Sequence, residues 1–241
     1  MTAETVSATL SEHASKKLLA GYGIPFAREK NVSDATAAVA AASEIGFPVV
    51  VKLCGDAIAH KTERDLVRLG LGAAAAVAVA ANELLAKAVP EDGPVTLLVA
   101  EMVQAKRELI LGLVRDPQFG PCVLLGIGGI LAEIHSDVSF AMAPVSRAEA
   151  ARMIESLNAS DLITKPFRGE PAVDQEALID MVVSLGRVGL ERSDIASIDL
   201  NPVLISGSAP VAVDALVEQY DEQHDEQYDE QHDAAASEAA S

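Results

Sequence analysis

With 241 residues, half of them hydrophobic, the chain is long enough for one large domain or two small lobes, and its composition excludes wholesale disorder. Thirty-six acidic residues against eighteen basic give a formal charge of -18, which repels nucleic-acid phosphate and anionic lipid and argues against either as a partner. No apolar run approaches the roughly 20 residues of a spanning helix, no secretory leader is legible after Met1, and Cys54 and Cys122 sit in separate apolar runs rather than a disulfide framework, so a cytoplasmic protein is expected.

Aromatic residues are scarce at 3%, which leaves Val, Leu, Ile and Ala to build the core. In chain order, a first helix opens at Ser11 and stops at Gly21 and Gly23 before Pro25. A second opens at Ser33 and Asp34 and closes at Gly46, just ahead of the run Val49, Val50, Val51, Lys52, Leu53, which reads as a buried strand. After the loop 55–64 come a short strand over 67–71 and an Ala-rich helix over 73–88. The second half is richer in strands, over 95–103, 109–114 and 123–127, followed by helices over 147–157 and 175–190 and strands over 195–205 and 211–217. This is an α+β pattern in two lobes. From Glu218 the chain cycles Asp-Glu-Gln-His/Tyr, a low-complexity acidic tail in which His224 and His232 read as part of a solvated extension rather than a metal site.

Several segments carry chemistry. Lys52 inside an apolar strand is costly to bury unless an anion meets it, although a lone lysine also snorkels to the surface. Asp199 and Asn201, two residues apart on a strand, project from one face and suit a hard cation such as magnesium; the same pair would also fit a turn before Pro202. Gly126, Gly128 and Gly129 follow a strand and let backbone amides approach a phosphate, or simply make a tight turn. His60 lies in a loop beside Lys61 and Glu63, where a neutral imidazole can accept a phosphoryl group; Glu101, Glu108 and Glu133 are acids placed to hold ribose or metal, or ordinary strand-end charges.

Taken together, SEHASKKLLAGYGIP, GFPVVVKL, AHKTE, RELILGLVRDPQFGPCVLLGIGGILAE, PFRGEP, IASIDLNPVLI and VAVDA resemble the β subunit of ADP-forming acetyl-CoA synthetases, members of the ATP-grasp superfamily. The resemblance implies an ATP-grasp domain over 8–217, with lobes near 8–98 and 99–217, and a disordered tail over 218–241. It implies ATP or ADP with Mg2+ in the cleft between the lobes. Lys52 would contact phosphate, Glu101 would meet the adenine and ribose, Glu108 and Arg115 would line the cleft, the glycines would close over phosphate, and Asp199 with Asn201 would hold the metal. His60 would be the phosphorylated histidine of a relay in which acyl-CoA, ADP and phosphate give the acid, CoA and ATP. An α subunit, in an α2β2 assembly, would bind CoA and form the acyl phosphate. Two departures stand out: Asp65 and Leu66 where the family usually has Gly-Gly, and Ala141 where many relatives carry Arg. They motivate the alternative of a nucleotide-sensing subunit without phosphoryl transfer; a carboxylate–amine ligase of the wider superfamily would not need His60.

Overall fold

The computed structural model describes residues 6–58, 64–129 and 137–220, and within these the chain forms two antiparallel sheets, each with its own apolar core. The larger sheet has seven strands in the order β1-β11-β9-β6-β7-β8, with β10 hairpinned onto β9; the smaller has four in the order β2-β5-β3-β4. Their ranges are β1 Val6–Thr9, β2 Glu29–Val32, β3 Val49–Cys54, β4 Val67–Leu71, β5 Thr96–Glu101, β6 Glu108–Asp116, β7 Gly120–Ile127, β8 Val138–Met142, β9 Ile195–Ser206, β10 Ala209–Ala212 and β11 Leu216–Tyr220. Helices α1 Glu12–Ala20, α2 Ala35–Ile45, α3 Ala74–Ala86, α4 Arg147–Ser156, α5 Asp161–Thr164 and α6 Gln175–Glu191 cover them.

The helix signals act as read. Ser11 Oγ accepts from Ala14 N and Asp34 Oδ1 from Ala37 N, while Gly46 ends α2 at a φ of 99° that a side chain would disfavour. Ser146 and Glu149 form a reciprocal capping box on α4. In the small lobe, Ala38, Ala42 and Leu84 from α2 and α3 pack on Val49, Val51 and Leu53 of β3. In the large lobe, α6 lies so close to the sheet that a Cβ at Gly189 would come within 2.6 Å of Leu113 Cδ1 and 2.7 Å of Pro121 Cβ. Each fully buried Leu in these cores contributes about 1.5–3 kcal/mol relative to exposure.

Four expectations are revised. The single strand expected over 211–217 is two, because the chain leaves the sheet at Val213, Asp214 and Ala215 before re-entering as β11. β11 runs on to Tyr220 and pairs with both β9 and β1, so residues 218–220 belong to the fold and not to the tail. The small sheet takes residues 29–101, and β1 with α1 joins the larger one, so the lobes do not divide the chain at 98. Finally, β1, β2 and β8 were not anticipated; β2 is a polar edge strand and β8 an alternating one, Val-Ser-Phe-Ala-Met.

Candidate nucleotide cleft

Between the two sheets lies a cavity of about 510 Å3, within the range of small-molecule sites. Val50, Val67 and Leu69 of the small sheet form one wall and Pro202, Leu204 and Val213 the other, an apolar slot suited to a flat ring. Glu101, Met102 and Val103, the chain that crosses between lobes, close one side. The polar groups are Lys52, Asp65, Glu101, Glu108 and Asp214, so three expected residues, Lys52, Glu101 and Glu108, are brought together here.

Lys52 projects from β3 into a buried charge network that spans the lobes. Its Nζ donates to Glu12 Oε1 at 2.6 Å and to Val213 O at 3.3 Å, and lies 3.4 Å from Asp214 Oδ2. Lys16 Nζ donates to the same Glu12 oxygen at 2.7 Å, to Glu29 Oε2 at 2.8 Å and to Val213 O at 2.9 Å. Burial pulls Lys16 down, but Glu12 and Glu29 more than offset it, and the net shift is upward. Sequence reading missed this network. The signal was present in SEHASKK, where Glu12 and Lys16 stand four residues apart on one helix face.

Glu101 accepts from Arg28 Nε at 2.8 Å, and that bond holds its carboxyl below the usual range. Asp199 and Asn201 do share the exposed face of β9. Around Asp199, burial first and then repulsion from Asp214 and Glu218 push the carboxyl upward. Asp199, with Asp214 near enough to repel its charge and the Asn201 amide on the same face, offers the few oxygens that Mg2+ takes from protein before water and phosphate complete its shell. Among the described residues no three acidic, His or Cys side chains converge into an all-protein cage. Asp214, in the irregular stretch between β10 and β11, faces both Lys52 and Asp199 and was not singled out from the sequence.

Arg115 and the three glycines, Gly126, Gly128 and Gly129, do not line the cleft. Arg115 stands seven residues beyond Glu108 on β6, about 23 Å along an extended strand. Its guanidinium donates to Gly189 O at 2.8 Å, Arg192 O at 3.0 Å and Ile195 O at 3.2 Å, which satisfies carbonyls at the end of α6 and the start of β9. Gly126 belongs to the ladder between β6 and β8; a Cβ there would meet Val138 Cγ1 at 2.9 Å, so its smallness serves strand packing. Gly128 donates its amide to Glu108 O at 2.8 Å, so that amide is already taken. Gly129 turns at a φ of 72° with Glu108 Oε2 beside it.

His60 and Glu133 lie outside the described residues. Of the nearest described residues, Ile58 is buried in the small core, and Arg64 makes a two-pronged contact with Asp92 at 2.6 and 2.9 Å. The Asp65–Leu66 departure has a local account. Asp65 adopts a φ of 55°, the left-handed region glycine favours and Asp tolerates, and it is held by Arg68 at 2.9 Å and by Lys87. Leu66 fills the small core at 1% exposure. Ala141 packs toward the large core on the helix side of β8, so a longer side chain there would point away from the cleft.

The ATP-grasp family model matches residues 2–218. Acetate–CoA ligase (ADP-forming) I subunit beta of Pyrococcus furiosus is 36% identical over 209 residues, covering 86% of this chain and 90% of that subunit. The chain belongs to the ATP-grasp family. Within it, the chain groups with the β subunits of ADP-forming acetyl-CoA synthetases. A solved structure of acetyl-coenzyme A synthetase 1 from Ca. Korarchaeum cryptofilum, in complex with coenzyme A, superposes on this β subunit with a TM-score of 0.81 at 37% identity, over 88% of this chain and 93% of that one. Another of the same protein, with Mg-AMPPCP and its phosphohistidine segment pointing towards the nucleotide binding site, gives a TM-score of 0.74 at 39% identity, over 86% and 91%. No helix among the described residues of the β subunit is long and apolar enough to cross a membrane.

Proposed function

We propose that this β subunit handles the nucleotide half-reaction of a cytoplasmic ADP-forming acyl-CoA synthetase, in which acyl-CoA, ADP and phosphate give a carboxylic acid, CoA and ATP. The observation that carries this is the interlobe slot, apolar on its two faces and charged at one end by Lys52 and Asp214. The base would lie between Val50, Val67 and Leu69 on one side and Leu204 and Val213 on the other, with Glu101 toward the ribose. Lys52 is placed to neutralise phosphate oxygens once Glu12 shares it with the ligand. Asp199, Asn201 and Asp214 would hold Mg2+, which supplies charge neutralisation at the phosphoryl oxygens.

In the relay, His60 bears the phosphoryl group and ADP accepts it. A β-phosphate oxygen forms the new O–P bond as the P–N bond breaks, and its electron pair returns to the imidazole nitrogen. The acyl group, CoA and the first phosphorylation belong to an α subunit, and α2β2 is the assembly this division of labour suggests. The test mixes the purified chain with its α subunit, acyl-CoA, ADP, phosphate and Mg2+. ATP should form only when both subunits are present, and Lys52→Ala and Asp214→Asn should each lower the rate at least tenfold. ATP formation by this chain without the α subunit would overturn the reading.

A further inference from the structure

On the other side of Glu108 from the nucleotide slot lies a second cavity, of about 470 Å3, walled by Lys106, Arg107, Arg168 and Phe167 and by Gly128 and Gly129. Three cations and one carboxylate line it, in a protein whose formal charge is -18. A positive pocket in so acidic a chain concentrates anions locally and invites one. We propose that this cavity is an oxyanion site that takes a phosphate group, with Arg168 as its principal ligand.

Arg168 is presented by an unusual turn. Phe167 and Glu170 exchange both backbone hydrogen bonds, at 3.0 and 2.9 Å, so Arg168 and Gly169 are the two central residues of a tight hairpin. Both have positive φ, 47° and 84°. That two-residue geometry is usually given to Asn-Gly or Asp-Gly, because a long side chain is strained in the left-handed region. An arginine here breaks a local rule, and such departures concentrate at functional positions.

The surroundings hold the guanidinium at the cavity. It lies 5.1 Å over the Phe167 ring, whose face restricts its rotamers. Lys106 Nζ donates to Arg168 O at 2.9 Å, which ties the hairpin tip to the cavity wall and adds a second cation. Arg107 is buried, bonds three carbonyls, of Leu162, Pro171 and Gly207, and lies 3.5 Å from the Glu170 carboxylate, while its Nε has no hydrogen-bond partner among the described residues. At the opposite wall, a Cβ at Gly128 would meet the Glu108 backbone at 3.0 Å, so glycine lets that turn pack tightly against β6 beside the cavity. With Arg168 and Lys106 at its wall and Arg107 Nε without a partner among the described residues, the cavity offers a dianion of several oxygens more than one charged donor.

The proposal stands on the cavity and not on the histidine relay, and its test is separable from it. The full-length chain is saturated with Mg-ADP, and inorganic phosphate is then titrated by calorimetry against wild type, Arg168→Gly and Arg168→Lys. Glycine suits the positive φ, so Arg168→Gly should melt at or above the wild-type temperature. Phosphate should bind the Mg-ADP complex of wild type, at least tenfold more weakly to Arg168→Gly, and with partial recovery in Arg168→Lys. Replacing ADP by Mg-AMPPCP distinguishes the source: loss of phosphate binding would mean that the terminal phosphate of the nucleotide fills the same site, and retained binding that the site takes free phosphate. No phosphate binding by the Mg-ADP complex, equal binding by Arg168→Gly, or a lower melting temperature in that variant with binding unchanged would overturn the proposal.

Discussion

Replacing Glu12 by Gln probes the network that joins the two lobes. Glu12 is fully buried and one of its oxygens accepts from both Lys16 and Lys52, at 2.7 and 2.6 Å. Removing one partner of a buried ion pair typically costs about 3–5 kcal/mol, because the remaining charge is left uncompensated. Here Lys16 keeps Glu29 at 2.8 Å and Lys52 keeps Asp214 at 3.4 Å, so the lower end, about 3 kcal/mol, is expected. For a domain of this size each kcal/mol moves the melting temperature by about 2–4 °C, giving a fall of roughly 6–12 °C. The assay is thermal unfolding by circular dichroism with and without Mg-ADP. Because Glu12 competes with phosphate for Lys52, the variant should retain nucleotide affinity at or above the wild-type level, and at 100 times Kd the ligand should restore about 2.7 kcal/mol. A melting temperature within about 2 °C of wild type, or a tenfold loss of Mg-ADP affinity, would refute the reasoning.

Asp199→Asn should act in opposite directions with and without metal. Burial and the neighbouring acids raise the Asp199 pKa in the fold, so its contribution to stability is present only while it is protonated and is lost as the pH rises through that raised value. The variant should therefore be slightly more stable than wild type at neutral pH, by a few tenths of a kcal/mol because water reaches the open face of β9 and screens the repulsion, lose that advantage near pH 3, and show a weakened Mg2+-dependent rise in melting temperature. Gly189→Ala inserts a methyl 2.6 Å from Leu113 and should destabilise the large lobe by about 1–3 kcal/mol, read by denaturant unfolding. Truncation after Tyr220 should leave the melting temperature unchanged, whereas truncation after Val217 removes residues paired with β1 and β9 and should lower it clearly.

What could be read from the sequence divides along physical lines. Strongly periodic elements stood out: β4 was expected over the residues it occupies, and α6 extends one residue past its expected end. β2, Glu-Lys-Asn-Val, was illegible because an edge strand with both flanks polar carries no alternating signal. The Asp199–Asn201 pair was legible because period two alone puts both on one face. Asp214 was not, since its role comes from a chain break in the sheet that brings it to Lys52, a contact 162 residues apart in sequence. Arg115 went astray for the converse reason: the family resemblance put it in the cleft with Glu108, yet a strand carries the two far apart and hands Arg115 to the end of α6.

The central claim is that this chain carries a phosphoryl group on His60 between an α subunit and ADP. It is tested most directly by incubating the chain with its α subunit, Mg2+ and terminally labelled ATP, then measuring acid-labile, base-stable label on each polypeptide, with His60→Ala in parallel. Label on the wild-type chain that is absent from His60→Ala, while both bind Mg-ADP with equal affinity, is the predicted result. Nucleotide binding with no label on either subunit, or label that survives the substitution, would contradict it.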